Sequence, residues 1–166
     1  MGRGVYAVVL SQERMTMMDH NTMQQCLEAA IRMAEKSWNE GGIPIGSVLA
    51  TEEGEIVAEG HNERVQSGDP IAHAEMVCLR NAGRRRDWKE LTLVSTLSPC
   101  PMCTGAAVLY GVKRVVVGEN TTFKGAEHWF TEAGIPFELM HDENCMALMR
   151  RMQEEKPELW AEDIGE

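Results

Sequence analysis

Leu91-Thr92-Leu93-Val94-Ser95-Thr96, then Pro99-Cys100-Pro101-Met102-Cys103 running on to Tyr110-Gly111, then Arg114-Val115-Val116-Val117-Gly118, is the stretch that decides the fold. Its first and last segments are short, apolar and rich in β-branched residues, so they read as buried strands. Cys100 to Tyr110 reads as a short apolar helix stopped by Gly111. The unit is strand, helix, strand.

Upstream, Thr22-Met23-Gln24-Gln25 resembles a capping box, and Leu27, Ala30, Ile31, Ala34 and Trp38 follow at helical spacing until Gly41-Gly42. Ile45 to Ala50 and Ile56 to Gly60 read as an antiparallel hairpin joined by the acidic turn Glu52-Glu53-Gly54-Glu55. Asp69-Pro70 precedes a helix from His73 to Gly83. Downstream come a helix before Gly134, an extended segment from Phe137 to His141, and a last long helix from Glu143 to Lys156. Pro157 is expected to end that helix and leave Glu158 to Glu166 as a tail. The pattern predicts an α/β fold, a three-layer α/β/α sandwich whose central mixed sheet of about five strands carries helices on both faces. Residues 1–20 show no period and are expected to be a flexible extension, with Met15, Met17 and Met18 as later starts.

With 166 residues, 43% of them hydrophobic and 25% charged, the chain suits one soluble domain. A formal charge of -10 argues against a nucleic-acid footprint, which needs clustered cations. Arg84-Arg85-Arg86 is followed at once by Asp87 and Glu90 and reads as a solvated turn. No run is long enough to span a membrane, and Val5 to Leu10 is too short for a signal-peptide core, so a cytoplasmic protein is expected. Tyr6 stands where a myristoylation motif needs Ser or Thr. Five cysteines in such a chain argue for reduced thiols and a metal, with Cys26, Cys78 and Cys145 as core residues.

The chemistry lies in His73-Ala74-Glu75 and Pro99-Cys100-Pro101-Met102-Cys103. Cys100 and Cys103 share one side of a helical turn, and the prolines put them at the helix start, where the dipole favours thiolates. His73 and Glu75 would face apart in mid-helix, so their pairing predicts a helix tip. One imidazole and two thiolates leave a zinc ion open to solvent, whereas structural zinc is closed by four side chains. Glu75 is then placed to take a proton from the zinc-held water and pass it to a substrate. A structural zinc remains the alternative. Cys78, about 140° around the helix from His73, is poorly placed to close it; His61 and His128 stay open as fourth ligands. A redox Cys-x-x-Cys fits the partner motif badly.

This combination resembles the signature of zinc-dependent nucleobase deaminases. Within that superfamily the chain resembles the fungal-type cytosine deaminases, through Gly42-Ile43-Pro44-Ile45-Gly46, Gly60-His61-Asn62, Thr96-Leu97-Ser98-Pro99-Cys100, Met102-Cys103-Thr104-Gly105, Tyr110-Gly111, Val116-Val117-Gly118-Glu119-Asn120 and Glu162-Asp163-Ile164-Gly165-Glu166. The likeness runs from Met23 to the end. It implies a single deaminase domain over residues 21–166, one zinc ion per chain on His73, Cys100 and Cys103, and Glu75 as proton shuttle. It further implies a base pocket lined by Ile45, Asn62, Ala74, Leu97, Ser98, Phe123 and Trp160, with Asp163 reading the ring N1–H. The implied reaction is hydrolytic deamination of free cytosine to uracil and ammonia in pyrimidine salvage, by a homodimer. Ala74 and Ala161 stand where the fungal pattern has Gly and Phe. The His-Ala-Glu form is shared with guanine and tRNA adenosine deaminases, which keeps another nucleobase as an alternative substrate. A non-catalytic zinc-stabilised interaction module is the alternative from another class.

Overall fold

The computed structural model describes residues 17–166. It opens with α1 (His20–Asn39), then the hairpin strands β1 (Gly46–Ala50) and β2 (Ile56–His61), the single-turn helix α2 (Arg64–Ser67) and α3 (Ala74–Ala82). A 3-10 turn at Trp88–Glu90 leads into β3 (Thr92–Leu97), α4 (Pro101–Tyr110) and β4 (Arg114–Glu119). The chain finishes through α5 (Glu127–Glu132), β5 (Phe137–Leu139), α6 (Glu143–Glu155) and α7 (Pro157–Ile164).

The strands form one mixed sheet in the order β2-β1-β3-β4-β5. β1 runs antiparallel to both β2 and β3, whereas β3, β4 and β5 are parallel, with Val94 opposite Val116 and Val117 opposite Leu139. Every residue of β1, β3 and β4 is buried, as strands covered on both faces must be. On one face Leu27, Ala30 and Ile31 of α1 pack with Cys145 of α6 against Val48, Val94 and Val116. On the other, Cys78 and Leu79 of α3, Ala107 of α4 and Phe130 of α5 pack against Leu49, Leu93, Val115 and Val117. The expected three-layer arrangement is therefore present, and Cys26, Cys78 and Cys145 are core residues.

Three expectations need correction. The cap of α1 is Asp19, whose Oδ1 accepts the Thr22 N–H at 2.7 Å, so Thr22 sits inside the first turn; a carboxylate caps well and also meets the positive helix end. Residues 1–16 lie outside the described residues, but the end of the expected extension is packed. Met18 is buried, its N–H donates to Glu52 Oε2 at 2.8 Å, and its carbonyl accepts from Arg114 Nη1 at 3.2 Å. Most consequentially, Pro157 starts a helix instead of leaving a tail. It occupies the first position of α7, where a missing N–H costs nothing. Lys156, which joins α6 to α7, is held by its ammonium over the Trp38 ring at 4.3 Å and by a bond to the Gly41 carbonyl at 3.1 Å.

The seating of α3 depends on a glycine. A Cβ on Gly60 in β2 would collide with Cys78 N and lie 2.9 Å from Ala74 O, both backbone atoms of α3. Gly60→Ala is expected to destabilise the protein by roughly 1–3 kcal/mol as overpacking. Thermal melting reads this as a Tm lower by about 2–10 °C; an unchanged Tm would contradict the close approach.

Candidate active site

Two helix starts converge beside the ends of β1 and β3. His73 precedes α3 with extended backbone (φ -64, ψ 156), and Glu75 follows inside the first turn. Cys100 precedes α4 in the same conformation (φ -66, ψ 170), Pro101 takes the first helical position, and Cys103 completes the turn. The His73 ring nitrogen and the two sulfurs all lie within 4.8 Å of one another, with Cys100 Sγ 3.5 Å from His73 Nδ1.

This donor set suits zinc, and it is open. Among the described residues no fourth histidine, cysteine or carboxylate joins the group. The Cys78 thiol points to the Ala58 carbonyl at 3.5 Å. His61 meets the Asn62 carbonyl at 3.1 Å and faces Glu40 at 3.5 Å, while His128 lies edge-on to Trp129. A structural site closed by any of these is ruled out by where they point.

The electrostatics fit metal loading. The hydrogen bond with Cys103 outweighs burial and, helped by His73, brings the Cys100 thiol down to about 4. Sharing that proton, together with burial, holds Cys103 well above its ordinary value. One sulfur is thus a ready thiolate, and a bound cation would draw the proton from the other. Burial lowers the His73 pKa, but the bond to Cys100 and the charge of Asp163 more than offset it, for a net rise. Glu75 is almost fully buried, and desolvation, followed by the Cys100 charge, pushes its carboxyl upward. Ser95 of β3 donates to Glu75 Oε1 at 2.9 Å and fixes the carboxylate's direction.

Beside the cluster lies a pocket that opens to solvent. Its lining includes every residue expected to form the base pocket: Ile45, Asn62, Ala74, Leu97, Ser98, Phe123, Trp160 and Asp163, besides His73, Glu75 and Cys100. α7 is the wall the strands cannot supply, since Trp160 and Asp163, three positions apart, point the same way. Trp160 meets Phe123 edge-to-face, with centroids 6.1 Å apart at 89°. Ser98 pins the loop that carries Phe123: its hydroxyl donates to Lys124 O at 2.5 Å and lies 2.9 Å from Glu127 Oε1.

Asn62 is oriented by its neighbours. Its Oδ1 accepts the Arg64 N–H at 3.1 Å and its Nδ2 donates to Asp163 Oδ1 at 3.3 Å, so one amide N–H stays free for a ligand carbonyl. Ile164, Arg64 and Ser95 were not anticipated. Ile164 adds only apolar lining, and Ser95 looks from sequence like any strand serine.

Residues 20–119 match the cytidine and deoxycytidylate deaminase zinc-binding region. The chain belongs to that family. Zinc is accordingly its metal, and the deaminase fold is the sandwich described above. The cytosine deaminase of Candida albicans is 48% identical over 142 residues, covering 84% of this chain and 95% of that one. A tRNA-specific adenosine deaminase of Streptococcus pyogenes is 40% identical over 105 residues, covering 61% of this chain and 65% of its own. A solved guanine deaminase from Nitrosomonas europaea superposes with a TM-score of 0.62 at 22% identity, covering 78% of this chain and 81% of that chain, a likeness of fold. The yeast relative's match extends well beyond the zinc-binding region.

Proposed function

We propose that this deaminase hydrolyses free cytosine to uracil and ammonia, with residues 21–166 acting as one catalytic domain. The observation that carries the reading is α7: Trp160 and Asp163 close the pocket where the N1 edge of a pyrimidine would lie. Asp163 accepts the N1–H that a free base has and a nucleoside lacks, so a sugar at N1 meets both a clash and an unpaired carboxylate. The identity to the Candida albicans cytosine deaminase supports the same choice.

His73, Cys100 and Cys103 would hold the zinc, whose Lewis acidity when bound brings the pKa of a coordinated water to about 7. Glu75 accepts a proton as water adds to C4 and delivers it to N3. A second proton passes through the same carboxylate to the exocyclic amine; the C4–N bond breaks and ammonia leaves as the C4 carbonyl forms. The buried, raised Glu75 carboxyl is suited to holding a proton between these steps. The free Asn62 N–H meets the base O2, Ile45, Leu97 and Phe123 sandwich the ring, and Ala74 and Ser98 complete the wall.

A cytoplasmic enzyme of pyrimidine salvage fits these reduced cysteines, and no helix among the described residues is long and apolar enough to cross a membrane. A homodimer fits the exposed apolar residues Leu109, Tyr110 and Trp129 of α4 and α5. The net charge of -10 fits a small-molecule substrate better than a polynucleotide. The test is ammonia release from cytosine, guanine, cytidine and adenosine, with zinc measured on the same sample. Cytosine is expected to be turned over alone; release from guanine or adenosine alone would overturn the substrate, and no release from zinc-loaded protein would overturn the enzyme.

A further inference from the structure

We propose that Arg64 is a positioning residue that sets the free-base specificity of the pocket by turning the Asp163 carboxylate; the inference rests on Asp163 being the group that meets the base N1–H. Arg64 begins α2, 99 positions before its partner in sequence. Its side chain is only 12% exposed. Each type of guanidinium nitrogen has its own acceptor: Nη1 donates to Asp163 Oδ1 at 3.0 Å, Nη2 to Glu162 Oε1 at 3.4 Å and Nε to Pro70 O at 3.0 Å. The fork thereby joins α7 to the turn that leads into His73.

The partners of Asp163 all fall on one oxygen. Oδ1 receives Arg64 Nη1 and Asn62 Nδ2, and His73 Nε2 lies 3.6 Å from it. Oδ2 takes no hydrogen bond from the described residues and belongs to a side chain that lines the cavity, so it is the oxygen left for a ligand N–H. Without Arg64 the carboxylate could rotate and would lose its fixed aim at N1. Lysine cannot substitute, because one ammonium cannot reach three acceptors held in a planar fork.

The test compares Arg64→Met, Arg64→Lys, Asp163→Asn and Glu162→Gln with the wild type. The readouts are kcat and KM for cytosine, the preference for cytosine over 1-methylcytosine, zinc content, and calorimetric affinity for uracil, which also carries an N1–H. Losing a charge-assisted hydrogen bond predicts a KM raised roughly 10- to 100-fold in Arg64→Met. Uracil affinity should fall by a similar factor, kcat should change little, zinc should be retained and the preference over 1-methylcytosine should narrow. Arg64→Lys should show most of the same loss, which keeps the test decisive if the methionine variant does not fold. Glu162→Gln, at the exposed arm of the fork, should stay near wild type. If Asp163→Asn shows these losses and both Arg64 variants do not, the positioning role is overturned and the Asp163 reading stands. If Asp163→Asn itself shows none, the Asp163 reading falls and the inference with it.

Discussion

Glu75→Gln keeps its zinc and loses roughly 10²- to 10⁴-fold in kcat on cytosine, the scale of a positioned general acid–base group. The amide preserves shape, and its oxygen can still accept the Ser95 hydroxyl, which lies 2.9 Å from Glu75 Oε1. It cannot carry a proton from water to N3 or to the departing amine. Zinc should stay because Glu75 lies outside the cluster formed by His73, Cys100 and Cys103. Steady-state kinetics together with metal analysis decide the matter. Loss of zinc in this variant would make Glu75 a ligand, and near-normal turnover would place the proton shuttle elsewhere.

Ending the chain after Lys156 removes α7, and kcat/KM for cytosine is expected to fall by roughly 10³-fold or more. The charge-assisted bond at Asp163 accounts for about 1.5–3 kcal/mol of that loss. The buried face of Trp160, which meets Phe123, supplies the rest by excluding water and holding the ring. α7 also covers Met149 and Met152 of α6, so the truncated chain should melt at a lower temperature. Trp160→Ala separates the two effects: it leaves Asp163 in place and should lose cytosine turnover while keeping zinc. An unchanged kcat/KM in both variants would reject a pocket wall made by α7.

Much of this arrangement is legible in local sequence, because local rules govern it. The buried runs at 92–97 and 114–119 have few alternatives to parallel strands around a crossover helix. His73-x-Glu75 and the prolines around Cys100 mark helix starts by simple geometry. The base pocket came instead from family likeness, since Asn62, Phe123 and Asp163 are ordinary turn, core and surface types when read singly. The remaining features depend on tertiary context. Pro157 suits a helix's first turn as well as its end, and only the packing of Trp160 with Ile43, Met149 and Met152 decides between them. Asp19 outcompetes Thr22 as a cap although both are good capping residues. α2 is too short to show a period, so nothing local marks Arg64, whose carboxylate partners lie 98 and 99 positions away.

The most direct test of the central claim, that a helix-borne carboxylate reads the N1–H of a free base, is the ratio of kcat/KM for cytosine to that for cytidine in the zinc-loaded protein. A site that hydrogen-bonds a substrate N–H rejects analogues lacking it by about 10⁴-fold or more, and the sugar's clash with Trp160 adds to this. A ratio on the order of 10⁴ is therefore expected, and turnover of cytidine comparable to that of cytosine would contradict the account.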